Sequence, residues 1–272
     1  MDNSPSSTPD MHGTPYSLFD THAHYDDDAY DADRDEVLRG LASNGVAYVV
    51  NVGYDIGSSV KSRELSAQYW FIRFAAGIHP HDAAKAPRDF ETDISELLKD
   101  KKAAALGEIG LDYHYDFSPR DVQREIFERQ LALAGKTGFP VVIHDREAHS
   151  DVIDILRAGR GLLHGGIMHC FSGDVRLAGQ ALDLGLHIAF GGALTFKNSS
   201  GLAEAAAYTP ADRLLLETDS PYMSPVPFRG KRNDSTRLRY IIERMAQIRA
   251  QSVSEIAEIT TANAKKLFGF PD

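Results

Sequence analysis

The chain has 272 residues, 43% hydrophobic and 25% charged, and a formal net charge of −10. This is the composition of an ordinary globular protein. The acidic balance argues against a broad basic coat for nonspecific nucleic-acid binding, but not against a nucleic-acid substrate in a cleft where a divalent ion inverts the local field. The single cysteine, Cys170, excludes an intrachain disulfide and is compatible with a cytoplasmic location. No apolar run reaches the roughly 18 residues a membrane span needs, and the first 16 residues lack the basic and apolar regions of a secretory signal.

Residues 1–17 are rich in Ser, Pro, Asp and Gly and read as a disordered polar tail, with His12 silent within it. Residues 18–272 read as a single domain. Leu18 and Phe19 end a short first strand. A helix over Asp33–Asn44 stops at Gly45. The apolar run Val46–Val52 reads as a strand buried on both faces. A helix over Ser59–Tyr69 and a third strand over Phe71–Gly77 follow, then a helix over Asp89–Lys99 and a fourth strand over Ala103–Ile109. Ser118 is expected to cap the next, long helix, with Pro119 in its first turn. Strands at Pro140–Ile143, Gly166–Met168, His187–Phe190 and Leu214–Leu216 then alternate with helices at Ser150–Ala158, Val175–Leu184 and Gly201–Tyr208. Helices over Ser235–Arg249 and Ser252–Leu267 complete the chain, the second opening with Ser252 and Glu255 at capping-box spacing. Eight strands, most followed by a helix, without a composition break, predict an α/β fold: one (β/α)8 TIM barrel.

The residues suited to ligation fall at the strand ends. His22 and His24 follow the first strand, His79 the third, Glu108 the fourth, His144 the fifth, His169 the sixth and Asp219 the eighth. Residues two apart on a strand share a face, so His22 and His24 aim at one point while Ala23 faces away. In such a barrel the C-terminal strand ends converge on one face. The mixed nitrogen and oxygen set without thiolates suits Mg, Mn or Zn, with Ni or Fe as further candidates, and has more groups than one tetrahedral ion uses. It therefore fits two divalent ions about 3.5–4 Å apart with one bridging carboxylate. His81, His114, His149, His164 and His187 read as solvated or packing residues, and Cys170 as buried packing.

Seven ordered motifs carry a further resemblance. They are Phe19-Asp20-Thr21-His22-Ala23-His24, Gly77-Ile78-His79-Pro80-His81, the stretches 105–113, 123–131 and 140–144, His169-Cys170-Phe171-Ser172-Gly173, and the stretch 215–222. Together they resemble the TatD family of metal-dependent deoxyribonucleases, within the amidohydrolase-like barrels, over about residues 18–270. The resemblance implies that His22, His24 and Asp219 hold one metal, that His144 and His169 hold the other, and that Glu108 bridges them. It implies that His79 contacts the scissile phosphate and that Asp219 also orients or deprotonates the attacking water, which makes Asp219, Glu108 and His79 the catalytic set. Arg229, Lys231 and Arg232 match a basic segment of the family and are the local candidates for phosphate contacts. The segment Met223–Phe228 departs from the family pattern, which bears on the substrate rim.

The function implied is a deoxyribonuclease hydrolysing DNA through a water activated between two metals, acting as a 3′–5′ exonuclease on single strands. Its partners would be DNA and, as a second substrate, RNA, with no membrane and no obligate protein partner. The same ligands would serve an amidohydrolase or esterase acting on a small molecule or an aminoacyl ester. A non-catalytic binding module on a degenerate barrel ranks last, because every expected ligand is present.

Overall fold

The computed structural model describes residues 16–159 and 164–271. The expected tail, with His12, lies outside the described residues except for Tyr16 and Ser17. Eight strands pair in parallel in sequence order: β1 (Leu18–Ala23), β2 (Val46–Val52), β3 (Ile72–Ala76), β4 (Ala103–Asp112), β5 (Val141–Arg146), β6 (Gly166–Met168), β7 (His187–Phe190) and β8 (Leu214–Leu216). The sheet closes where Ala23 bridges Ser220 in parallel, with Asp219 N–H donating to His22 O at 2.9 Å and His24 N–H to Ser220 O at 2.6 Å. The fold is thus the expected α/β barrel.

Around it lie α1 (Arg34–Gly40), α2 (Ile56–Gln68), α3 (Phe90–Leu97), α4 (Arg120–Thr137), α5 (His149–Ala158), α6 (Val175–Asp183), α7 (Ser200–Tyr208), α8 (Leu238–Arg249) and α9 (Val253–Phe268). Among the element bounds that shift, two have a hydrogen-bonding cause. α2 begins at Ile56 rather than Ser59, because the Asp55 side chain accepts from Ser58 N–H at 2.7 Å and caps the earlier start. Ser118 does not cap α4. Its hydroxyl donates to His81 O and accepts from Ala84 N–H, both at 3.0 Å, tying the turn after β4 to the turn after β3. The Ser252–Glu255 capping box forms as expected.

The core has two layers. Phe19, Val50, Val52, Ala75, Ala105, Val142, Ile167, Ala189 and Leu215 form one buried cluster drawing on all eight strands, so it fills the barrel interior. Phe268 and Phe270 close it at the end where the strands begin, with Phe270 edge-on to Phe19 at 4.8 Å. A larger cluster lies between sheet and helices. The inward phase of the strands then sets the site. Two residues beyond Val142 stands His144, and two beyond Ile167 stands His169. From Leu215 the same count of two reaches Glu217 and then Asp219. His22 and Glu108 are out of phase with Phe19 and Ala105, and both β1 and β4 carry a register shift just there, between Asp20 and Ala23 and between Leu106 and Ile109. Such irregularities re-aim a side chain without breaking the sheet.

Candidate active site

The strand ends bring the predicted residues to one point. Glu108 sits at the centre, with its carboxylate 3.2 Å from His22 Nε2, 2.7 Å from His144 Nδ1, 2.9 Å from His169 Nε2 and 3.7 Å from His24 Nε2. Asp219 approaches from the other side, its Oδ1 3.5 Å from His24 Nε2 and 3.9 Å from His22 Nε2. Three groups of ligand atoms are close enough to share an ion: His22 with His24 and Asp219, His22 with Glu108 and His169, and His79 with Glu108 and His144. Nearly all of these side chains are buried.

For His24, His169 and His144 the hydrogen bond on the far side of the ring decides what it presents. His24 Nδ1 lies 2.7 Å from Val52 O, so Nδ1 carries the hydrogen and Nε2 offers a lone pair. His169 Nδ1 faces Glu217 Oε1 at 3.2 Å, again freeing Nε2. His144 Nε2 faces Asp112 Oδ2 at 3.1 Å, which turns the Nδ1 lone pair toward Glu108. His22 Nε2 and His24 Nε2 stand 3.0 Å apart. Lone pairs of His24, His144 and His169 aimed at a buried carboxylate repel it unless a proton or a cation lies between, so this donor set fits divalent metal ions.

His79 is different. Its Nδ1 accepts from His81 N–H at 3.1 Å, so the hydrogen of the neutral ring sits on Nε2, 3.4 Å from Glu108 Oε1. Burial holds its pKa down to about 4, which keeps the ring neutral. His79 therefore presents an N–H where His24, His144 and His169 present lone pairs.

The electrostatics favour positive charge in the cluster. Burial opposes ionisation of Glu108, but His169 beside it holds its pKa well below the carboxylate range. Burial likewise opposes a charge on His24, yet Asp219 and Glu108 raise its pKa to about 9. Without a cation, the carboxylates attract a proton instead.

Three acids that the sequence reading left without a role support this arrangement. Glu217 and Asp112 orient His169 and His144. Asp20, pushed up to about 7 by burial, accepts from Thr218 N–H at 2.9 Å, from the Thr218 hydroxyl at 2.6 Å and from the Ser235 hydroxyl at 2.6 Å, joining β1 to the turn after β8. All three lie inside the quoted motifs within five residues of a ligand, which was the available signal. That turn holds Asp219 at φ 57, and the fully buried Asn233 clamps it, donating to Thr218 O at 2.9 Å and Tyr222 O at 2.8 Å.

A cavity of about 540 Å³ opens over the cluster, lined also by Tyr54, His81, Tyr115, Phe117, Arg146 and Tyr222. Arg229, Lys231 and Arg232 do not line it. Arg229 lies over the Phe196 ring at 4.1 Å, in a neighbouring groove. Arg232 is held by Asp33 in a two-pronged ion pair at 2.6 and 2.8 Å. Of the other histidines, His81 bonds Asp112 at 2.8 Å, His114 bonds Glu147 at 2.7 Å and His149 bonds Asp145 at 2.8 Å. None of these three belongs to a metal-binding group among the described residues. Cys170 is only half-buried, because β6 ends at Met168 and the chain turns there, with Cys170 at φ 43.

Comparison with known proteins agrees with this geometry. A family described as TatD related DNase matches residues 19–269. The chain is 43% identical over 251 residues to YabD of Bacillus subtilis, an uncharacterized metal-dependent hydrolase, covering 92% of this chain and 98% of that one. It is 31% identical over 257 residues to the 3′-5′ ssDNA/RNA exonuclease TatD of Citrobacter koseri, covering 93% and 99%. The crystal structure of YjjV, a TatD homologue from Escherichia coli K12, superposes with a TM-score of 0.88 at 29% identity, covering 93% of this chain and 98% of that one. The chain belongs to the TatD family of metal-dependent hydrolases, on an amidohydrolase-like barrel.

Proposed function

We propose that the chain is a metal-dependent phosphodiesterase that trims single-stranded DNA, or RNA, from the 3′ end. The observation that carries this reading is the division of labour around Glu108: lone pairs converge on it from His24, His144 and His169, while His79 offers an N–H beside them. In this reading His22, His24 and Asp219 hold one ion, His144 and His169 the other, and Glu108 lies between. Bound divalent ions would polarise the phosphoryl group and make water at the site more acidic. His79 would donate to a non-bridging phosphate oxygen, where negative charge grows in the transition state. Asp219, the more exposed of the two candidate carboxylate ligands, would orient the attacking water and accept its proton. A reducing, cytoplasmic setting suits a chain whose one cysteine is unpaired.

The name of the Citrobacter relative supports a nucleic-acid substrate. The cavity mouth supports it too, because a rim of half-exposed aromatics is unlike the small, closed, apolar pocket an amidohydrolase for a small molecule would use. The test is digestion of end-labelled single-stranded oligonucleotides with Mg²⁺, Mn²⁺ or Zn²⁺ by wild type and Glu108→Ala. Stepwise shortening from the 3′ end, abolished by EDTA and by the substitution, is expected. Absence of any metal-dependent product from the wild type would refute the nuclease reading, and full activity in Glu108→Ala would refute the site.

A further inference from the structure

The turn after β4 presents two aromatic rings to solvent at the mouth of the cavity. Phe117 is 67% exposed and Tyr115 49% exposed. An exposed phenylalanine at the edge of a polar metal-binding cavity does nothing for the cluster beneath it. The two rings are stacked, with centroids 5.3 Å apart and planes 25° from parallel. The Arg146 guanidinium lies 5.4 Å from the Tyr115 centroid and makes no ion pair among the described residues.

This pair is held in register with the cluster. His81 meets Phe117 edge-on at 4.8 Å and Tyr115 at 5.4 Å. Its Nε2 bonds Asp112 Oδ2 at 2.8 Å, and that same oxygen faces His144 Nε2. The other oxygen of Asp112 accepts from Tyr115 N–H at 2.8 Å. Asp112 thus joins the aromatic turn and the candidate metal ligand His144 through one carboxylate. Gly110 allows this close course: its φ is 145, and a Cβ there would lie 1.9 Å from His144 O.

The opposite wall is unsuited to a polyanion. There the Tyr222 hydroxyl donates to the Asp27 carboxylate at 2.7 Å, whereas Arg146 is, among the described residues, the one Lys or Arg side chain in the cavity lining. Like charge would repel a phosphate on that side, whereas Arg146 would attract one on the side of Tyr115.

We propose that Tyr115 and Phe117 form a stacking platform for the base of the 3′-terminal nucleotide, with Arg146 contacting a phosphate of the same strand. This rests on the exonuclease reading above and adds the group by which the site recognises a nucleotide end. Aromatic platforms accept any base, because every base has a π-face, so the site would be tolerant of sequence but sensitive to the presence of a base.

The test compares single-stranded oligonucleotides ending at the 3′ side in a normal or an abasic nucleotide. Wild type should show a KM about 10-fold higher for the abasic end, within the range that one base–aromatic stack supplies. Tyr115→Ala with Phe117→Ala should bring that ratio to near one, by raising KM for the normal end about 10-fold. Arg146→Gln should raise KM for both strands alike. Terminal 2-aminopurine, placed behind a phosphorothioate linkage that slows cleavage, should be quenched on wild type and not on the double variant. Tyr115→Phe with Phe117 intact should keep both the ratio and the quenching. Cleavage of both strands by wild type with equal KM would overturn the platform and leave the exonuclease reading standing. A double variant impaired equally on both strands would assign the rings a structural role and overturn the platform as well. Failure of wild type to cleave either strand would overturn the exonuclease reading itself.

Discussion

The strand-end cluster and the Arg229–Asn233 loop both consist of residues suited to phosphate chemistry, yet they are built on different principles. In the cluster the side chains are aimed by the strand ends, and three of the rings are held on the far side by a partner: Val52 O behind His24, Glu217 behind His169, Asp112 behind His144. In the loop no common direction exists. Arg229 lies on Phe196, Arg232 is bound to Asp33 beside Tyr30, and Asn233 is wholly buried as a clamp on the turn that carries Asp219. Residues on adjacent strands inherit convergence from the barrel, whereas residues on a loop do what their nearest neighbours permit.

The sharpest way to break this comparison is at Glu108, on which the cluster depends. Glu108→Ala should lower kcat/KM beyond the roughly 10³-fold associated with a single electrostatic stabiliser. Metal content measured on the purified variant should fall with it. Retention of both would mean the other ligands suffice.

Asn233→Ala comes next, as the loop residue that behaves like part of the interior. It removes the donor from the buried carbonyl of Thr218 and from the part-buried carbonyl of Tyr222, at about 1–3 kcal/mol for the buried group left unpaired. Urea denaturation should show the loss. An unchanged midpoint would mean the loop is not coupled to the turn.

His187 supplies a control from the opposite end of a strand, at the start of β7 and away from the cluster. Burial, with the nearby Arg213 charge, lowers its pKa to about 4. The folded state therefore excludes a proton that the unfolded state takes up below about pH 6.5. Its contribution to stability is complete above pH 6.5 and is lost as pH falls toward 4. His187→Gln should reduce the acid-induced loss between those limits by about 1–2 kcal/mol, after discounting for partial exposure. Parallel stability–pH curves for the two proteins would remove this account.

The smallest effects belong to the loop cations. Lys231→Gln should raise KM for a single strand and reduce the slope of log K against log salt by about 0.7 if it meets one phosphate. Arg232→Gln should leave that slope unchanged and cost stability of about 0.2–1 kcal/mol, as a partly exposed ion pair does. A reduced slope in Arg232→Gln with none in Lys231→Gln would reverse the roles given to the two residues.

Much of this molecule is legible in its sequence. Short apolar runs closed by turn residues mark the strands, and those at Val46–Val52, Gly166–Met168, His187–Phe190 and Leu214–Leu216 have the boundaries their composition predicts. This works because a strand buried on both faces must be apolar throughout. The candidate ligands at strand ends are legible for the same reason, since parallel strands around a closed barrel deliver their C-terminal ends to one place. Tertiary structure alone decides the rest. The register shifts that turn His22 and Glu108 inward leave no mark in composition. The capping serine expected at Ser118 became a tie between two turns because Ala84 N–H and His81 O lie across from it. His79 differs from its neighbours only through the backbone N–H that occupies its Nδ1. Arg232 has the charge of a phosphate ligand, but Asp33 reaches it first, from a position 199 residues away in the chain. Local pattern determines which elements form and which way they point. Which hydrogen-bond partner a polar side chain meets depends on residues far apart in sequence, and so only on the folded barrel.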